Sequence, residues 1–211
     1  MFWFQVDFTD YINILQLLFS RIVLCVIILF ELWGYNMKKL LVVVDYQKDF
    51  VDGALGFDGA IDIEDKIVGL IDYFERHEWF VAFTLDTHEK DYLETTEGKN
   101  LPIEHCIKGT DGWKLMERLE DYAKKYPKFE KHTFGSLDLG NYIRGIAPLI
   151  DEVYLVGLVS NICVISNAII AKSALDKNGK VFVIKNAVGS PDGKMQQKAF
   201  DVLENLHIKV I

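Results

Sequence analysis

Leu40-Leu41-Val42-Val43-Val44-Asp45-Tyr46-Gln47-Lys48-Asp49-Phe50 is the stretch on which the fold turns. Five consecutive apolar residues leave no polar face, so Leu40–Val44 reads as a strand covered on both sides, as in a parallel sheet. The run stops at Asp45, a carboxylate at the edge of a hydrophobic strand. Working outward, Ile63, Ile67, Leu70, Ile71 and Phe74 have helical spacing over 61–76. Phe80–Leu85 is the next strand and ends in Asp86. Trp113–Tyr126 reads as a helix capped by Asp111 and stopped by Pro127. Further along, strands are expected at 129–133, 153–158, 181–184 and 208–211. Helices are expected at 137–146, 163–175 and 194–203. Strands separated by helices imply crossover connections. The expected fold is therefore a single three-layer α/β sandwich over 37–211, with a mostly parallel central sheet and helices on both faces.

The chain of 211 residues carries a formal net charge of -8. That balance excludes nucleic acid as a partner, because binding it needs a basic surface to displace counterions from phosphates. Three cysteines, Cys25, Cys106 and Cys163, show no CxxC and no framework spacing, which points to a reducing, cytoplasmic setting.

Residues 1–36 differ from the rest of the chain. Tyr11–Trp33 is strongly apolar and Ile22–Phe30 is unbroken, but Gln16, Ser20, Arg21 and Glu31 interrupt a membrane-spanning window. No basic leader or small-residue cleavage site brackets it as a signal peptide. Trp33-Gly34 requires TGG GGN codons just upstream of the Met37 codon, where a bacterial ribosome-binding site would lie. The expectation is an over-extended start before Met37. The alternatives are a weak membrane anchor, with Lys38 and Lys39 keeping the domain on the cytoplasmic side, and a real structured extension.

In open α/β sheets, ligands bind outside the carboxyl ends of the strands. Asp45, Asp86 with His88, Lys131 and Cys163 all fall at such ends. Cys163 lies in Gly157-Leu158-Val159-Ser160-Asn161-Ile162-Cys163-Val164, a strand–turn–helix transition. Helix N-terminal amides there would lower its pKa and favour thiolate. A buried structural cysteine is the commoner fate of such a residue. Asp45, partly desolvated, could take and return a proton near neutrality; capping a turn is its bland role, and Asp49 is assigned that role. Lys131 could stabilise a thiolate, although a lone lysine is usually solvated. Asp86-Thr87-His88 puts two ligand types on one face of an extended segment, and His105 follows. One carboxylate and two imidazoles suit zinc, iron or manganese. Glu97 and Glu94 are weaker candidates for a further ligand.

Together these segments resemble the isochorismatase-like cysteine hydrolases, and within them the nicotinamidases. The matching residues are Asp45-x-Gln47-x-Asp49-Phe50, Asp86-x-His88, Pro102 with His105-Cys106 and Gly109-Thr110, Lys131 before a Phe-Gly-Ser turn, and Gly157 with Cys163-Val164. The resemblance implies a Rossmann-like sandwich and a catalytic triad of Asp45, Lys131 and Cys163. It also implies a non-proline cis peptide between Leu158 and Val159, an oxyanion held by the Val159 and Cys163 amides, and a divalent metal on Asp86, His88 and His105. Phe50, Leu101 and Phe134 are the expected pocket walls. Leu101 stands where nicotinamidases usually carry an aromatic residue, and Thr133-Phe134-Gly135-Ser136 replaces their usual Ser-Ala-Phe.

The implied activity is hydrolysis of nicotinamide to nicotinate and ammonia through a Cys163 thioester. The alternatives are another small amide, a ureide or isochorismate, or a noncatalytic binding module. The expected partners are a small-molecule amide substrate and further copies of the chain; a membrane enters only if 1–36 is an anchor.

Overall fold

Alternate residues of the first strand, β1 (Lys38–Val44), face opposite sides of a sheet, and both sides are dry. Leu40, Val42 and Val44 pack into one apolar cluster and Leu41 and Val43 into the other, all five fully buried. At about 1.5–3 kcal/mol per buried side chain, this run alone anchors the sheet between two layers. The structure, a computed structural model, describes residues 37–175 and 177–211. The apolar N-terminal segment 1–36, with its expected start at Met37 or anchor, lies outside the described residues.

The elements follow in order as α1 (Glu64–Arg76), β2 (Phe80–Asp86), α2 (Glu117–Ala123), β3 (Lys128–Lys131), α3 (Leu137–Ile146), β4 (Ile150–Leu158), α4 (Ile165–Ala174), β5 (Lys180–Gly189), α5 (Gly193–Asn205) and β6 (Lys209–Val210). The sheet order is β3-β2-β1-β4-β5-β6, and every pairing is parallel. Ile67, Ile71 and Phe74 of α1 and Leu119 of α2 cover one face. Ile143 of α3, Ala168 of α4 and Phe200 of α5 cover the other. This is the expected three-layer sandwich. Among the described residues no helix is long and apolar enough to cross a membrane.

Strand order reverses between β1 and β4, which makes a crevice at their carboxyl ends. Asp45 leaves β1 at this point and Leu158 ends β4 there. The two strands approach closely: Gly157 has φ +107°, and a Cβ on it would lie 2.1 Å from the Val44 carbonyl oxygen. Only glycine fits.

Two local expectations are corrected. The helix expected from Trp113 begins only at Glu117, because 111–114 forms a turn and Leu115 bridges Gln47 instead. The Lys48 amide donates to the Lys114 carbonyl (2.9 Å), the Met116 amide donates to the Tyr46 carbonyl (3.1 Å), and Asp111 pairs with Lys48 and Lys114 rather than capping. The helix expected from Cys163 begins at Ile165. Ser160–Val164 forms a π-helical turn that carries the cysteine first.

Candidate active site

Thr84, in the middle of the buried sheet, donates through Oγ1 to Asp45 Oδ1 at 2.6 Å, and Asp45 itself has φ +43°. The other oxygen, Oδ2, lies 2.8 Å from Lys131 Nζ, which is also 2.9 Å from Asp86 Oδ1 and 3.5 Å from Cys163 Sγ. Asp45, Lys131, Asp86 and Cys163 are all buried. One ammonium thus sits among two carboxylates and a thiol. Burial raises the Asp45 pKa although Lys131 opposes it. Burial works against the charge of Lys131, but the Asp45 and Asp86 carboxylates outweigh it and raise its pKa.

The expectation of a helix-activated thiolate at Cys163 is corrected. Burial, with the Asp45 carboxylate adding to it, pushes the thiol well up despite Lys131. The π-helical turn places Cys163 deep in the sheet crevice instead of on a solvated helix end. The peptide between Leu158 and Val159 is cis.

Asp86 faces two ways. While Oδ1 takes Lys131, Oδ2 lies 3.1 Å from His88 Nε2 and 3.5 Å from His105 Nε2. Glu97 Oε1 completes the group at 3.8 and 3.7 Å from the same imidazole nitrogens. Ligand atoms of all four residues lie within 4.8 Å of one another. His105 Nδ1 donates to the Ile103 carbonyl at 2.8 Å, which aims Nε2 into the cluster, as a backbone carbonyl does for a metal-binding histidine. Burial opposes ionisation of Asp86, yet His105, His88 and Lys131 hold its carboxyl well below the usual carboxylate range. A buried carboxylate and two imidazoles with converging lone pairs, joined by Glu97, fit a borderline divalent ion. Glu97 joins the cluster and Glu94 does not. Their spacing from the histidines gave no means of choosing between them.

These groups open onto a cavity of about 920 Å³ whose wall includes Phe50, Leu101, Phe134 and Val159 beside Asp86, His88, Glu97, His105 and Cys163. Residues 39–211 match the model of the isochorismatase domain. The chain belongs to the isochorismatase family.

Over 173 residues it is 32% identical to the isochorismatase family protein PncA of Bacillus subtilis (strain 168), a match spanning 73% of this chain and 87% of that one. The crystal structure of nicotinamidase PncA from Bacillus subtilis superposes with a TM-score of 0.71 at 30% identity, over 82% of this chain and 99% of that one. Pyrazinamidase/nicotinamidase from Streptococcus mutans UA159 gives 0.71 at 28% identity, over 82% and 100%. This isochorismatase-family chain is an enzyme, a hydrolase with the nicotinamidase type of fold.

Three residues of this hydrolase, Gln47 among them although it belongs to the matching motif, had no positioning role assigned from the sequence. Gln47, fully buried, accepts from the Asp86 amide (2.7 Å) and donates to the carbonyls of Asp86 (2.8 Å) and Trp113 (2.7 Å). Asn167 accepts from the Ser136 amide and donates to the carbonyls of Cys163 and Phe134, stapling the nucleophile turn to the segment after Lys131. Trp113 Nε1 donates to Thr87 Oγ1 at 2.9 Å. Asp49, the expected cap, holds the Ala54 and Cys106 amides, at 3.2 and 2.7 Å. A buried amide side chain looks like any surface glutamine in a sequence, and only its surroundings distinguish it. Gln47→Ala should leave buried backbone groups of Asp86 unpaired and cost about 1–3 kcal/mol. Urea denaturation reads that loss.

Proposed function

We propose that this enzyme is a metal-assisted cysteine amidohydrolase, formed by residues 37–211, that converts nicotinamide and water to nicotinate and ammonia. The observation that carries the reading is the division of Asp86, with one oxygen on Lys131 beside the nucleophile and the other toward the imidazoles of the metal cluster. Nucleophile and metal would then meet on a single small molecule. The nicotinamidase names of the relatives support the same substrate.

Asp45 takes the Cys163 thiol proton, for which its raised pKa suits it, and Lys131 steadies the resulting thiolate by charge. The thiolate attacks the amide carbon while the Val159 and Cys163 amides receive the oxyanion. Asp45 returns the proton to the departing ammonia, leaving a thioester. It then deprotonates the water that hydrolyses the thioester to the acid. Asp86, His88 and His105, with Glu97, would hold the divalent ion, of which zinc is the leading choice and iron or manganese the others. When bound, the ion supplies a Lewis acid that orients the ring nitrogen and polarises water.

The test is ammonia release from nicotinamide by protein loaded with zinc, iron or manganese. Release should be rapid, and a chelator should raise KM or stop turnover while lowering the melting temperature, since an ion bound only by the folded state stabilises it. Full activity in metal-free protein would remove the metal from the mechanism. A second reading, a larger amide or ureide, is favoured by the cavity, which is at the upper end of the range for drug-sized ligands. The free, buried Cys106 and Cys163 suit a reducing cytoplasm, and the family resemblance suits assembly with copies of itself.

A further inference from the structure

The wall of the cavity that leads to Cys163 carries five carboxylates, Asp86, Glu89, Asp91, Glu97 and Asp192, and no lysine or arginine among the described residues. Lys131 and the imidazoles of the wall are already engaged. Lys131 is held between Asp45 and Asp86, and His88 and His105 face Asp86 and Glu97. His132, in the same wall, turns Nδ1 to the Thr87 carbonyl at 2.8 Å. Off the wall, Lys108 pairs with Glu130, and Lys90, Lys99 and Lys194 are exposed. An ion held by the metal cluster would offset Asp86 and Glu97. Glu89, Asp91 and Asp192 stand outside that cluster on the same wall, Asp192 also capping α5 through the Lys194 and Met195 amides.

We infer that this cavity selects its amide by charge, admitting uncharged or cationic carboxamides and turning away amides that carry a carboxylate. The inference rests on the reading of Cys163 as the group attacked through this cavity. A cleft lined with one sign of charge focuses the field and changes the local concentration of a charged visitor by roughly 10- to 1,000-fold. Along the described wall itself an anion meets no guanidinium or ammonium to receive it. Hydrolysis turns a neutral amide into a carboxylate, so the acid product meets the same repulsion on its way out.

Cys163 is its own reporter. Its thiolate displaces iodide from iodoacetamide, which is neutral, or from iodoacetate, which is anionic and of nearly the same size. A C–S bond forms, iodide leaves, and the thiol proton passes to Asp45 or solvent. Rates are followed on the full chain by the mass of the Cys163 peptide, each divided by the reagent's rate with 2-mercaptoethanol. Iodoacetamide should be preferred about 10-fold or more, in both chelator-treated and zinc-loaded protein. The preference should narrow in Glu89→Gln/Asp91→Asn and shrink in 1 M salt, where the screening length is about 3 Å. Equal relative rates overturn the inference, as does a preference that neither salt nor the double substitution changes. Failure of both reagents to label Cys163 overturns it too, because the cavity is then not the route to the thiol. Ammonia release from nicotinamide is read separately. Its absence alongside charge-selective labelling removes that substrate and keeps the charge selection.

Discussion

Cys163→Ala is expected to lower turnover at least about 10,000-fold while leaving the domain folded, because among the described residues no other thiol lines the cavity to carry the covalent intermediate. The expectation follows from the thiol's surroundings. Cys163 is 4% exposed and lies 3.5 Å from the Lys131 ammonium, but that ammonium has two carboxylates of its own. Removing the sulfur deletes one small apolar group and strands no charge, so the cost in stability is about 1 kcal/mol or less. The measurement pairs ammonia release with the urea midpoint. Turnover above about one part in a hundred in a folded variant would sink covalent catalysis at this residue.

Lys131→Met should behave differently, losing activity and stability together. The lysine is 3% exposed and is the cation between Asp45 Oδ2 and Asp86 Oδ1. Its removal leaves uncompensated buried carboxylates, which costs about 3–5 kcal/mol. The loss should also depend on pH. Burial already raises the Asp45 pKa, and Lys131 is the main group lowering it, so the variant's Asp45 pKa rises further. A group whose folded pKa lies above its unfolded value contributes stability at low pH and loses it as pH rises through the folded value. The penalty of Lys131→Met should therefore be smaller at pH 5 than at pH 8. Denaturation of both proteins at the two pH values checks this, and an equal penalty at both would show that Asp45 is not titrating against Lys131. The contrast between the two variants separates the group that reacts from the group that holds the charges in place.

Much of the site's composition was readable because its residues sit at strand ends. An apolar run that stops abruptly at a carboxylate, as at Val44-Asp45 and Leu85-Asp86, marks the rim of a parallel sheet by local pattern alone. The extended geometry of Asp86-Thr87-His88 likewise puts two side chains on one face. Glu97 was harder, since its ligand atom reaches the imidazoles only because residues 92–101 fold back over the rim. The misread helix at Trp113 has the same origin. Its spacing is helical, but pairing with 46–49 satisfies its backbone first.

The sequence by itself determined the alternation of strands and helices, the two-sided burial of β1, and the residue types offered at each strand end, because these depend on periods of two and 3.6 residues and on local turn chemistry. The tertiary structure alone decided which of those ends meet. It set Lys131 between Asp45 and Asp86, divided Asp86 between Lys131 and the imidazoles of His88 and His105, buried Cys163 so that its thiol pKa is pushed up, and left the cavity wall without a lysine or arginine among the described residues. Those properties arise from strand order and desolvation. A carboxylate's charge state depends on neighbours more than thirty residues away, and no local pattern along the chain records them.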